Sequence, residues 1–292
     1  MSDRLSTITA RIESMHQLSS VITAMRGIAA ARLREADLQL EAMKAYAETI
    51  EKAIARALAF IPLDGQPASV REDRQKQVVI ALCTEQGFAG SFNTHVLKAV
   101  RELSGEPHDL LLVGDRGRML AGEMGLTVHW SIPMAAHAKE VENIANRLMD
   151  ALYARLRPDG STMAIVVHAQ PDGSLAGPIC QKRLLPFDYS RFAAEQLNQP
   201  PLITLPPQKL LGLLAEEYIF AELCQTLSLS FAAENDARMR TMVAARSNVA
   251  KKLEELSSRA HLLRQEQITS EVTELAAGVS AGKQKRRRSR AR

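Results

Sequence analysis

Two long stretches of the chain carry apolar residues at helical spacing with almost no punctuation. Leu5, Ile8, Ile12, Met15 and Ile22 recur at steps of 3-4-3-7, and Met242, Val249, Leu253, Leu256, Ala260 and Leu263 at steps of 7-4-3-4-3. Each stretch therefore presents one apolar seam. From Met1 to Ile61 there is no proline and one glycine, Gly27, and from Leu213 to Ala277 there is neither. Helices of that length would reach roughly 90 Å, longer than one globular domain is wide. Alanine-rich segments such as Ala29-Ala30-Ala31 and Ala244-Ala245 permit close approach but bury little area. The pattern predicts that the two ends of the chain wrap round each other as an antiparallel pair, with their opposite faces left for a partner. Two ordinary amphipathic helices in a bundle are the plainer alternative.

The segment between them changes character, holding all twelve prolines and most of the glycines. Its apolar runs alternate as in an α/β unit. Strands are expected at Gln77–Cys83, at Asp109 to Val113, at Leu126–Trp130 and at Met163–Ala169, with helices at Ser91–Leu103, Arg116–Met124 and Ala138–Leu156. Lys182–Phe187 reads as an edge strand or a docked extended segment. The fold class is α/β: a long antiparallel coiled coil of the N- and C-terminal helices with an inserted Rossmann-like domain. The expected boundaries are 1–62 for the first helix, 63–207 for the inserted domain, 208–282 for the second helix and 283–292 for a basic, disordered tail.

Charge and composition narrow the function. The net charge of +4 suggests nucleic acid until its position is considered, because the last ten residues hold Lys283, Lys285, Arg286, Arg287, Arg288, Arg290 and Arg292. Without them the chain is mildly acidic, so the basic balance describes a tail and not a folded face. Aromatic residues make up 4% of the chain, too few for a base-stacking platform. Cys83, Cys180 and Cys224 are far apart, as in a reduced cytoplasmic protein, and offer neither a disulfide framework nor a cysteine-based zinc site. No signal-peptide core and no run of eighteen apolar residues is visible.

Candidate chemistry is sparse. Thr84-EQGFAGSFN and Gly114-DRGRML follow strands, where a phosphate loop would sit, but the first lacks the lysine and spacing of GxxxxGK[ST] and the second the third glycine of GxGxxG. Both read as tight strand-to-helix turns, with Asn93 placed to cap a helix or tie one turn down. The seven histidines show no HExxH or HxxxH spacing, and there is no GxSxG elbow. The expectation is no catalytic residue, no cofactor and no metal.

Three separate runs carry a resemblance. Arg11-IESMHQLSSVITAMRGIAAARLREA is similar to the RIxSVxNTxKITxAMxMVAxxKLxxA pattern that opens the γ subunit of rotary F-type ATP synthases. Ser230-FAAENDARMRTMVAARSNV resembles that family's SxxSExxARMxAMxxATxNA. Arg264-QEQITSEVTELAAG resembles RQAxITxEIxEIVxG, with Glu266 in place of alanine. Between them Cys83-TEQGFAGSFN corresponds to SDRGLCGGFN, and Lys182-RLLPF to the family's LLP segment.

The resemblance implies a non-catalytic central stalk that couples ion-driven rotation of a membrane ring to shape changes at the catalytic sites of a hexamer. It implies as partners the α- and β-type subunits of that hexamer, an ε-type subunit and the membrane c-ring. Membrane association would be peripheral, through the complex, at the cytoplasmic face of the bacterial inner membrane. The matched partner-contact positions are Met25, Arg26, Arg238, Arg264, Gln265 and Thr269. Arg264, Gln265 and Thr269 would bond a loop of a catalytic subunit, and Arg26 and Arg238 would meet acidic groups of the sleeve. Gln17, Leu18 and Ser20 replace Asn, Thr and Lys of the family pattern, Glu85 and Gln86 its Asp-Arg, and His261 an asparagine, while the tail runs past the customary end. These departures are those of a divergent member, as in an alternative N-type ATPase. The competing expectation is a coiled-coil nucleic-acid-binding protein that uses its basic tail.

Overall fold

The computed structural model describes residues 2–61, 76–103, 108–157, 161–173, 177–192 and 202–289, with side chains described between 4 and 277. The chain divides into two compact units, 27–241 and 1–26 together with 242–292. Two long helices, α1 (Ser2–Leu58) and α5 (Pro207–Ser289), contribute to both. The expected boundary at 62/63 lies outside the described residues. The backbone is helical through Ser289, inside the tail expected to be disordered. Lys and Arg are good helix formers, and no proline or glycine follows Gly282 to stop the helix.

The α/β unit is built on five strands in the order β3-β2-β1-β4-β5. They are β1 (Lys76–Leu82), β2 (His108–Val113), β3 (Val128–Ile132), β4 (Thr162–Ala169) and β5 (Ile179–Leu185). The first four are parallel, while β5 joins the edge antiparallel to β4. Lys182–Leu185 is thus part of an edge strand. The connecting helices are α2 (Phe92–Leu103), α3 (Asp115–Glu123) and α4 (Val141–Tyr153).

Alternation along β1 sorts the core into two layers. Val79 and Ala81 face Phe92, Val96, Leu97 and Val100 of α2. Val78, Ile80 and Leu82 face Val141, Ala145, Leu148 and Leu152 of α4, with Ala36 and Leu40 of α1 and Leu223, Leu227 and Phe231 of α5. Each large side chain buried in these layers contributes about 1.5–3 kcal/mol. Within the unit α1 and α5 run antiparallel: Arg32 lies near Glu234, whereas further along α1 Tyr46 donates to Glu217 and Glu51 accepts from Tyr218. Burial and the bond to Glu217 raise the Tyr46 phenol to about 12.

Two expected elements differ in extent. The strand anticipated at Leu126 begins at Val128, because α3 ends in a cap: Gly125 has φ +73° and the Leu126 amide donates to Ala121 O at 2.9 Å. The helix anticipated at Ala138–Leu156 opens as a 3-10 turn over Ala138–Glu140 and closes in tighter turns after Tyr153.

At the start of the sheet Asp109 gathers two cations, Lys76 at 2.8 Å and Arg155 at 3.7 Å, with the His129 ring at 3.9 Å. The hydrogen bond from Lys76 is the main reason its carboxyl lies below the usual range, against an opposing push from burial. A lowered folded pKa gives stability that is present above the unfolded value, about 3.9, and is lost as pH falls through the folded one. Asp109→Asn is therefore expected to destabilise the chain at pH 7, with the difference from the parent shrinking as pH drops below about 4. Urea titrations at pH 7, 4 and 3 measure this, and a pH-independent difference would refute the ionic origin.

The coiled-coil unit has a seam of its own. Ile22, Met242 and Val249 are buried together, with Met15, Met25, Ala245 and Leu253 packed against them. Leu256 is also buried, and Leu5, Ile8, Ile12, Ala260 and Leu263 are half-buried. The heptad positions read from the sequence are therefore the inward positions of these helices.

Candidate partner-contact surface

The six expected contact residues fall into three environments. Met25 packs against the coiled-coil seam, half-buried, and Arg26 beside it is half-buried. Arg264, Gln265 and Thr269 are exposed on α5, where the Thr269 hydroxyl donates to Gln265 O at 2.8 Å and keeps its lone pairs outward.

Arg238 differs from the expectation. Its side chain is 6% exposed and ion-paired to Glu234, which is 5% exposed. It also donates from Nη1 to Asn235 Oδ1 at 3.1 Å and from Nε to Gly87 O at 3.3 Å. Its charge is answered inside the α/β unit by Glu234. Burial raises the Glu234 carboxyl, and Arg238 works against that rise.

A feature not anticipated from the sequence accompanies Arg264 and Gln265. Ile268, Val272 and Leu275 are 54%, 60% and 71% exposed. Their 4-3 spacing places them on one face of α5, roughly a third of a turn from the buried seam and flanked by Arg264, Gln265 and Thr269. Helix α5 thus carries two apolar stripes in the coiled-coil unit, one buried against α1 and one open with polar residues at its margins. An exposed apolar stripe with a polar rim is the composition of a contact surface.

The turns after the strands are held by side chains. Asn93 Oδ1 accepts from the Thr84 amide at 2.9 Å and its Nδ2 donates to Thr84 Oγ1 at 2.8 Å, so Asn93 ties the turn down. Gly114 has φ +104°, and a Cβ there would lie 2.5 Å from Cys83 O; the glycine serves a close crossing. Glu85 Oε2 accepts from the Asp115 amide at 3.1 Å and from the Met134 amide at 2.8 Å. The first of these amides opens α3, where a phosphate would sit in a nucleotide-binding βαβ unit. A carboxylate of the chain holds that position. Glu85→Ala would strip both amides of their partner and is expected to cost about 1.5–3 kcal/mol, the range for hydrogen bonds to a charged group. Denaturant unfolding measures it, and a change under about 0.5 kcal/mol would refute the role.

Cys83 and Cys224 are poorly placed to act as nucleophiles. Burial pushes the Cys83 thiol far up, and the Cys224 thiol to about 12, so neither supplies thiolate near neutrality. No described helix is long and apolar enough to cross a membrane.

A family model described as ATP synthase matches residues 4–281, nearly the whole chain. The chain belongs to this family. It is similar to the ATP synthase gamma chain of Solibacter usitatus, 28% identical over 94% of this chain and 97% of the relative. It is equally similar, at 28%, to that of Frankia casuarinae, over 96% of this chain and 98% of the relative. Among solved structures, the rotor of Euglena gracilis mitochondrial ATP synthase aligns with a TM-score of 0.67 at 14% identity, covering 92% of this chain and 100% of that one. The central stalk and c-ring structure of Tetrahymena thermophila mitochondrial ATP synthase aligns with a TM-score of 0.56 at 16% identity, over 77% and 99%. At those identities the likeness carries the fold. The relatives it matches within the family are gamma chains. The nucleic-acid alternative finds no support among these relatives.

Proposed function

We propose that the chain is the non-catalytic turning element of a rotary ATP synthase. The observation that carries this reading is the match over residues 4–281, joined to a helix that keeps one apolar stripe for its own coiled coil and offers a second to a partner. The partners are the α- and β-type subunits of a hexamer, an ε-type subunit and a membrane c-ring. The chain attaches peripherally, through the complex, to the cytoplasmic face of a bacterial inner membrane.

The mechanism follows from asymmetry. A single α5 face that carries Arg264, Gln265 and Thr269 beside Ile268, Val272 and Leu275 can meet only one of three identical neighbours at a given angle. Each neighbour then feels different contact energies as the chain turns, and binding at its catalytic site shifts with them. Met25 and Arg26 of α1 supply a second contact region. Arg238 is left out of this surface: paired to Glu234 one turn earlier on α5, it donates to Gly87 O and so fastens α5 to the turn after β1. Ion-driven rotation is thereby converted into changes of catalytic-site shape while this chain makes and breaks no bonds.

Co-expression with the α- and β-type subunits of the same organism, followed by size-exclusion chromatography and an ATP hydrolysis assay, tests the reading. A hexamer-sized peak with one copy of this chain and activity that depends on it is expected. Elution of the chain alone, with hydrolysis by the other subunits unchanged in its absence, would overturn the proposal.

A further inference from the structure

A recess of about 230 Å³ opens beside β5 in the α/β unit. It meets Gln181, Lys182, Arg183 and Leu184 in succession. Successive strand residues point to opposite faces, so a recess that touches all four runs along the hydrogen-bonding edge of β5 and not over one face. That edge is the outer one, because β4 is the only strand paired with β5 in the described sheet. Residues of the turn from Pro186 to Phe192 line it as well, with Tyr218 and Glu222 of α5.

The charges in the recess do not cancel. Lys182 and the buried Glu222 form an ion pair. Asp188 accepts from the Ser190 hydroxyl at 2.6 Å and from the Ser190 amide at 3.0 Å, and the hydroxyl bond is the main cause of its lowered pKa, with Arg183 and Arg191 adding to it. Neither arginine forms an ion pair among the described residues. Two exposed guanidiniums thus lie near one carboxylate at the rim of the recess.

The wall is aromatic and fixed. Phe187 and Phe192 stack with centroids 5.7 Å apart and planes 4° from parallel. Tyr218 meets both edge-on, at 5.7 and 5.3 Å, and its hydroxyl donates to Glu51 at 3.1 Å. Planar guanidinium forks recognise oxyanions, and an apolar wall beside a few convergent polar groups is the composition of a small-molecule site.

We propose that this recess binds a small phosphate monoester that carries an apolar or aromatic group. Arg183, Arg191 and the outer-edge amides of β5 hold the phosphate, and the apolar part lies against Phe187 and Phe192. A soluble metabolite and a phosphomonoester lipid headgroup share this chemistry. The proposal goes beyond the central-stalk reading and does not rest on it, since binding is read on the full-length chain without partners.

Calorimetric titration of the full-length chain tests it, with phenyl phosphate, inorganic phosphate, and phosphatidylcholine vesicles with or without phosphatidic acid as probes. Phenyl phosphate is expected to bind saturably and about tenfold more tightly than inorganic phosphate, a step of about 1.4 kcal/mol. The double variant Arg183→Gln/Arg191→Gln should lose about tenfold or more, whereas Lys98→Gln/Lys139→Gln, which removes the same charge from exposed sites, should keep full affinity. Asp188→Asn, which removes the opposing carboxylate and can still cap Ser190, should bind more tightly. Competition by phosphatidic acid vesicles would assign the site to a lipid headgroup, and its absence to a soluble ligand. Lack of saturable phenyl phosphate binding at millimolar concentration, equal losses in the two double variants, or unchanged affinity in Asp188→Asn would each overturn the proposal.

Discussion

Arg238→Ala is expected to lower the unfolding free energy by about 3–5 kcal/mol, the range for breaking a buried ion pair by removing one partner. The variant leaves Glu234 in a site with almost no solvent and withdraws the donor to Gly87 O that ties α5 to the turn after β1. Glu234 would then escape the cost only by taking up a proton, a direction in which burial already pushes it. The double variant Arg238→Leu/Glu234→Leu removes both charges and should recover much of the loss, because apolar replacement of a whole buried pair is often neutral or better. Guanidinium-induced unfolding of the three chains measures both effects. An Arg238→Ala chain as stable as the parent, with hydrolysis lost only in the assembled complex, would instead place Arg238 at the sleeve.

The double variant Arg264→Ala/Gln265→Ala should behave in the opposite way. Both side chains are exposed on α5, so the chain alone should keep its stability to within about 0.5 kcal/mol. In the assembled complex, loss of a charged hydrogen bond worth about 1.5–3 kcal/mol at the stage where it forms should slow hydrolysis by about tenfold or more. Steady-state hydrolysis by the purified complex, beside unfolding of the isolated chain, checks the two halves. Parent-like turnover would remove this face from the contact surface. The contrast between the two pairs separates a residue that holds the chain together from residues that face outward.

Much of this fold is legible in the amino-acid sequence, and the reasons are local. The seam through Ile22, Met242 and Val249 is written in the heptad steps, and the buried strands β1, β2 and β4 in short apolar runs between turns. β3 starts two residues later than its apolar run, because the cap of α3 depends on Gly125 adopting a positive φ and on a hydrogen bond back to Ala121. Neither is visible in hydropathy. The spacing of Glu234 and Arg238 is i,i+4 and suits a pair, but exposed pairs have the same spacing, and only packing against Gly87 and Asn235 makes this one internal. The open stripe of Ile268, Val272 and Leu275 has a readable 4-3 rhythm. What the rhythm lacks is any sign of which apolar face the partner helix covers. Glu85 is the least legible, since its two amides come from residues 115 and 134, brought together by the sheet.

That carboxylate also bears on how such a chain coexists with its surroundings. A complex that makes or consumes ATP works amid a high concentration of polyphosphates, and an uncovered helix start at the end of a parallel sheet would compete for them. With Glu85 seated on the Asp115 and Met134 amides, a phosphate would have to displace a tethered anion whose local concentration is fixed by the fold and independent of the nucleotide pool. The unit of β2, α3 and β3 can therefore keep the geometry of a nucleotide-binding unit as scaffolding while its helix start is already held by the chain's own carboxylate.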